Sequence, residues 1–314
     1  MLKIYDHQVA GGQIYESIRN GFLDYAPGDK FREVPDIEDA DVIFMTGVIS
    51  NGSLSLHLSG QSVNLETLSY HANLYQNLVE KKRMIWLDTM GPLILEDGAI
   101  FDVLRETDIL VSYYSLPREI NTFGDVFPIE KGLFRERTRF ERMKGSVVIS
   151  HDNIINHTSA ESNTPEVIAE VLQDVSHLSV TKSQGLQESV QTAFAGNLHK
   201  VSCENLSYPF GVANKLSQSE FILSTHTNLG IEFMGIEGGM CGCQPIYPDT
   251  PFYREVFDGT GVVFFDTENP VESLRSIIAA GSKFDEETTE AFRTRFSAEN
   301  TLPNFWEDVY DLYA

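Results

Sequence analysis

Apolar and polar residues alternate over residues 2–5 (LKIY), break at Gly11-Gly12, and recur at helical spacing over residues 14–23, which predicts a strand, a glycine turn and a helix. The run DVIFMT at 41–46 predicts a second strand, the polar glycine-serine stretch at 51–60 a loop, and residues 65–80 a helix. The short, nearly continuous apolar runs MIWL at 84–87 and ILVSY at 109–113 fit strands covered on both faces of a parallel sheet. After a basic stretch the pattern restarts at Gly145. It gives a strand at 147–150, a helix at 165–174, and strands at 178–181, 221–224, 244–247 and 261–265. Residues 273–280 have helical spacing, and Phe305, Val309, Leu312 and Tyr313 mark an amphipathic closing helix. This is an α/β chain of two βα-repeating halves, read as domains 1–144 and 145–298 followed by a helix at 299–314.

The length of 314 residues favours two hydrophobic cores over one. No apolar run approaches the roughly 18–20 residues of a membrane helix, and the first ten residues lack the basic start and apolar middle of a secretory signal. Three cysteines cannot all pair, and Cys241 and Cys243 stand too close for a relaxed disulfide, so a reducing, cytoplasmic compartment is expected, the host cytoplasm if the chain is viral. A net charge of −23 opposes long-range attraction of polyanions such as DNA. One stretch runs against that field, where Arg135, Arg137 and Arg139 fall close to Lys131, Arg142 and Lys144; it is either a solvated basic segment or a contact surface for phosphate or acceptor.

Chemistry concentrates in residues 221–265, FILSTHTNLGIEFMGIEGGMCGCQPIYPDTPFYREVFDGTGVVFF. A strand leads into a loop ending at Gly230, and a helix opens near Ile231, with further breaks expected at Gly238-Gly239 and Gly242. A helix N-terminus behind a glycine turn presents unpaired N–H groups and a positive dipole end, which suits a pyrophosphate. Glu237, one or two turns along, is placed to accept hydrogen bonds from vicinal ribose hydroxyls.

The run from Gly230 to Pro245, continued by YREVFDG at 253–259 and Thr260-Gly261, resembles the nucleotide-binding half of GT-B glycosyltransferases, especially the retaining group typified by sucrose and glycogen synthases. That group carries a Glu, Gly-Phe-Gly, four apolar residues, a second Glu, then Ala-Met-Ala-Cys-Gly-x-Pro-Val. Glu237 matches the second Glu, Met240-Cys241-Gly242 falls close to the Met-Ala-Cys-Gly stretch, and Pro245-Ile246 matches Pro-Val. The resemblance implies two Rossmann-like domains facing across a cleft, with the C-terminal helix crossing back to the first. It further implies that Glu237 binds the donor ribose and that Gly230, Ile231, Glu232, Phe233 and Gly238 face sugar and phosphates. Gly11-Gly12 matches a glycine pair near the donor phosphates, and Asp88 sits where members carry a His or Asp that reaches the sugar.

The sequence departs from the pattern at Leu229, in place of the first Glu, and at Glu232, in place of the second glycine of Gly-Phe-Gly. The family's Arg and Lys after the first strand of the second domain are absent from Ser150-His151-Asp152-Asn153-Ile154. Lys182 is the nearest substitute cation. The eight histidines show no metal spacing, and no Gly-x-Gly-x-x-Gly, Gly-x-Ser-x-Gly or phosphate-loop motif occurs. The expected activity is metal-independent, retaining transfer of a hexose, glucose above all, from a UDP-type donor to an acceptor hydroxyl, with Asp88 and Lys182 as catalytic candidates. The acceptor stays open among a glycan, a small molecule and a hydroxymethylated DNA base, since the pared-down motif also resembles phage DNA glucosyltransferases. The alternatives are a catalytically degenerate nucleotide-sugar-binding module and an epimerase or phosphorylase on the same architecture.

Overall fold

Apolar runs this short bury both faces only when a parallel sheet is covered by helices on each side, and the chain builds two such sheets. The computed structural model describes residues 1–8, 20–46, 83–88, 109–112, 126–130, 132–134, 142–150, 154, 164–181, 185–225 and 231–314. The chain divides into one unit of Met1–Ile129 with Ser297–Ala314 and another of Glu130–Phe296.

In the first unit β1 (Leu2–Gln8), β2 (Phe31–Glu33), β3 (Val42–Thr46), β4 (Arg83–Asp88) and β5 (Ile109–Ser112) form an all-parallel sheet in the order β2-β1-β3-β4-β5. Val42, Ile43, Phe44, Ile85 and Val111 are fully buried, as the continuous apolar runs require. Strand β2 was not legible as an apolar run, because two of its three residues are exposed.

The second unit contains β6 (Met143–Ser150), β7 (His177–Thr181), β8 (Val201–Glu204), β9 (Ser219–Leu223), β10 (Gln244–Pro248) and β11 (Val263–Phe265), all parallel, in the order β11-β10-β9-β6-β7-β8. Its helices are α1 (Thr164–Val171), α2 (Glu188–Ala193), α3 (Phe210–Gln218), α4 (Phe233–Met240), α5 (Pro251–Phe257), α6 (Pro270–Ala280) and α7 (Glu286–Phe296). One sheet face, carrying Val147, Ile149, Leu178, Val180, Phe221, Leu223 and Ile246, packs with α1, α2 and α6 in a single apolar cluster. Alternation along the strands turns Ser150, Thr181, Ile222 and Tyr247 to the other face, the one α4 covers. Strand order reverses between β6 and β9, so the crevice outside their carboxyl ends is where open α/β sheets take ligands.

Residues before β6 belong to this unit: Phe134 is buried with its ring 5.9 Å from that of Tyr208, and Arg142 Nη2 donates to Cys241 O at 3.1 Å. The chain then returns to the first unit through a parallel bridge between Ile129 and Ser297 and through α8 (Ala298–Tyr313). Helix α8 buries Phe305, Trp306 and Val309. The Trp306 Nε1–H donates to Phe22 O at 2.8 Å, and its ring meets Phe31 edge-on at 5.0 Å.

Candidate functional site

The carboxyl edge of the second sheet carries a row of hydroxyls. Ser150 pairs with Thr181, Ile149 with Leu223, and Leu223 with Ile246. One step further along the strands, Thr181, Ser150, Ser224 and Tyr247 therefore stand side by side on one face. Each is at most 1% exposed. Helix α4 opens directly over this row: Thr181 Oγ1 donates to Met234 Sδ at 3.3 Å, and the Tyr247 hydroxyl donates to Glu232 O at 2.9 Å. Ser150 Oγ is buried without a hydrogen-bond partner among the described residues.

Glycines let α4 come this close. A Cβ on Gly235 would meet the Tyr247 hydroxyl, one on Gly238 would stand 2.6 Å from Ile222 Cγ2, and one on Gly239 would run into the Phe292 ring of α7. The expected break at Gly238-Gly239 does not occur, and α4 continues through both residues to Met240, because these glycines thin the helix instead of turning it. The turn comes at Gly242, with φ at +76°. Gly238 thus faces the sheet, where its missing side chain makes room for Ile222. Two guanidiniums close the C-terminal end of α4, Arg293 Nε donating to Met240 O at 2.6 Å and Arg142 to Cys241 O, a favourable place for positive charge. Burial pushes the Cys241 thiol up to about 12 and the Cys243 thiol well above its ordinary value. Neither is a ready metal ligand or nucleophile.

At the N-terminal end of α4, Glu232 takes the cap position with extended backbone, and its side chain makes no cap hydrogen bond. Gly235 N–H reaches Glu232 O at 3.1 Å, while helix geometry leaves the N–H of Met234 without an intrahelical acceptor. Oε2 of Glu232 is buried with no hydrogen-bond partner among the described residues. Burial drives the phenols of Tyr247 and Tyr253 above their ordinary range, and the nearby negative charge of Glu232 raises both further. One turn beyond, Glu237 is 4% exposed and its Oε1 accepts from the Tyr208 hydroxyl at 2.8 Å.

Of the residues singled out in the sequence, Ile231, Glu232, Phe233, Glu237 and Gly238 are brought together on α4 and the turn before it. Asp88 is the last residue of β4, in the first unit. Gly11, Gly12, Lys182, Gly230, Arg135, Arg137 and Arg139 lie outside the described residues. Sequence reasoning missed Tyr208 and the hydroxyl row. Tyr208 is 29 positions from its carboxylate, and a single Ser or Thr at a strand end carries no signal until register sets several side by side. Among the described residues no cluster of three or more His, Cys, Asp or Glu could hold a metal, and no helix is long and apolar enough to cross a membrane.

No protein-family model matches the chain, and no curated protein does. Solved structures do match. HepE from Anabaena, in complex with UDP and glucose, superposes with a TM-score of 0.65 at 9% identity over 99% of this chain and 100% of that one. Sucrose-phosphate synthase from Thermosynechococcus elongatus gives 0.64 at 11% over 100% and 99%. The pneumococcal O-GlcNAc transferase GtfA, in complex with UDP and GlcNAc, gives 0.55 at 9% over 87% of this chain, which spans 56% of the length of GtfA. At such identities the likeness is one of architecture. The chain has the α/β fold of GT-B glycosyltransferases, built on two Rossmann-like domains.

Proposed function

We propose that the chain is a glycosyltransferase that takes a hexose, glucose above all, from a UDP-type donor held by the second unit. The observation that carries this reading is Glu237: a carboxylate 4% exposed, oriented by Tyr208, one turn inside a helix that opens at the strand-order reversal. A carboxylate at that place accepts the two ribose hydroxyls. The N–H of Met234, with the backbone of Gly230 to Phe233, faces the diphosphate, and the dipole of α4 offsets its charge. Lys182, in the segment after β7, supplies the cation that the strand-end sequence at 150–154 lacks, so no metal is needed to stabilise the departing UDP. Gly11-Gly12 and Asp88 belong to the first unit, which presents the acceptor; Asp88 then reaches the sugar, and transfer retains configuration. Arg135, Arg137 and Arg139 precede β6 and contact acceptor or phosphate, a hydroxymethylated DNA base being one acceptor for the screen. Leu229 and the missing Arg and Lys favour a second reading, a module that binds nucleotide sugar without turnover.

Isothermal titration of UDP, GDP, ADP and dTDP tests the donor site. Selective binding of UDP is expected, and Glu237→Gln should weaken it about 10- to 100-fold with the melting temperature unchanged, since charge-assisted bonds contribute about 1.5–3 kcal/mol each. Unaltered UDP affinity in the folded variant would remove Glu237 from the site. Release of glucose from UDP-glucose onto an acceptor in a glycan, metabolite and DNA screen separates the enzyme from the binding module. Turnover without any acceptor would point to an epimerase or phosphorylase instead.

A further inference from the structure

Glu232 is an anomaly within this site. The residue is only half-buried, but its Oε2 is out of water beside two phenols, and a buried polar atom without a hydrogen bond costs free energy. Tyr247 is near enough to supply one, yet its hydroxyl is committed to the main-chain oxygen of Glu232. The side chain does not turn back to cap α4 either, and Oε2 has no partner among the described residues. A second, independent observation lies in the same place: Ser150, 0% exposed and also without a partner among the described residues, stands in the hydroxyl row beneath the first turn of α4. Two buried polar atoms from different elements, Glu232 Oε2 and Ser150 Oγ, thus lack partners among the described residues at one end of one helix.

We propose that Glu232 determines which donor sugar is accepted, its buried oxygen taking a hydroxyl hydrogen from an uncharged hexose and repelling any sugar that carries a carboxylate. This rests on the donor site proposed above and adds to it the class of sugar. A neutral hexose offers several O–H donors, and a carboxylate offers only acceptors. A uronic acid would set two negative charges against each other at a partly buried site, where like charges repel more than in water. The same negative charge also opposes the diphosphate, so removing it has an effect that a purely structural residue would lack.

The test is titration of wild type, Glu232→Gln and Glu232→Gly with UDP, UDP-glucose and UDP-glucuronate. Wild type should prefer UDP-glucose over UDP-glucuronate by about tenfold or more, and both variants should lose most of that preference while binding UDP a few-fold more tightly than wild type, as loss of the opposing charge requires. The glutamine variant keeps shape and leaves the bond from Tyr247 in place, because that bond ends on the main chain; matching melting temperatures confirm it is folded. An unchanged ratio of the two sugar nucleotides in both folded variants overturns the role of Glu232 and leaves the donor site standing. Failure of wild type to bind any nucleotide overturns the donor site, and this proposal with it.

Discussion

The two ends of the second sheet treat a buried carboxylate in opposite ways. At the amino end Glu220, in β9, accepts from the backbone N–H groups of Gly145 and Ser282, the latter at 2.8 Å, and Ser146 Oγ receives the N–H of Glu220 at 3.0 Å. Each group there has a partner, in β6 or in the turn after α6. At the carboxyl end Glu232 Oε2 and Ser150 Oγ are also buried and have none among the described residues. Both ends belong to the same sheet, so the contrast is not one of general packing quality. One end is closed by partners from the chain, and at the other the described residues supply none, which is where the proposed donor would complete the hydrogen bonding.

The contrast is broken most strongly by removing the closed carboxylate. Glu220→Ala leaves two part-buried backbone N–H groups without acceptors and should cost about 1–3 kcal/mol in urea denaturation, with UDP affinity intact under native conditions. Next comes the helix between the ends. Gly235→Ala drives a methyl group into the Tyr247 hydroxyl and should cost about 1–3 kcal/mol and weaken UDP binding. Adding Tyr247→Phe should recover part of both losses, and a strictly additive double variant would show that the two residues do not meet. Tyr208→Phe takes one hydrogen bond from Glu237 and should weaken UDP about 3- to 10-fold, near 1 kcal/mol, without a change in melting temperature.

The smallest effect is at His177, the first residue of β7 on the closed end, whose Nε2 lies 2.9 Å from Ser202 Oγ. Burial first, then the Lys215 charge, lowers its pKa below the ordinary 6.5, with Glu204 opposing. The unfolded chain therefore takes up this proton at higher pH than the folded one. The contribution is complete above about pH 6.5 and is lost as pH falls through that value toward the lowered one. A shallow acid-side decline in denaturation midpoint that persists in His177→Gln would assign the decline to other groups.

The sequence was most informative where burial is two-sided. Runs such as MIWL and ILVSY could be little else than interior strands, and β4 and β5 lie where they fall. It was least informative where an element is polar along its length. Strand β8 reads VSCE, and its Ser202 and Glu204 point away from the apolar cluster; α7 reads EETTEAFRTRF and buries only Thr289, Phe292 and Phe296. Neither shows a clear apolar period. Glycine misled in a specific way. Gly238-Gly239 looks like a turn signal, but its use is lateral, and only the positions of Ile222 and Phe292 reveal that. Glu237 stood out because glycines and the resemblance framed it, whereas Tyr208 and Ser150 became meaningful only once the fold had brought them to α4.

The contact between Trp306 and Phe22 spans 284 positions, and the whole second unit lies between them in the chain. At roughly 5–20 residues per second of synthesis, about 15–60 seconds separate the appearance of the two residues. For that interval Phe22, Phe31 and Phe44 wait without the rings of Phe305 and Trp306 that cover them, while the second unit has everything it needs to fold. On the ribosome the unit made first is thus finished last, and its uncovered aromatic face is where a nascent-chain chaperone would find its longest-lived target.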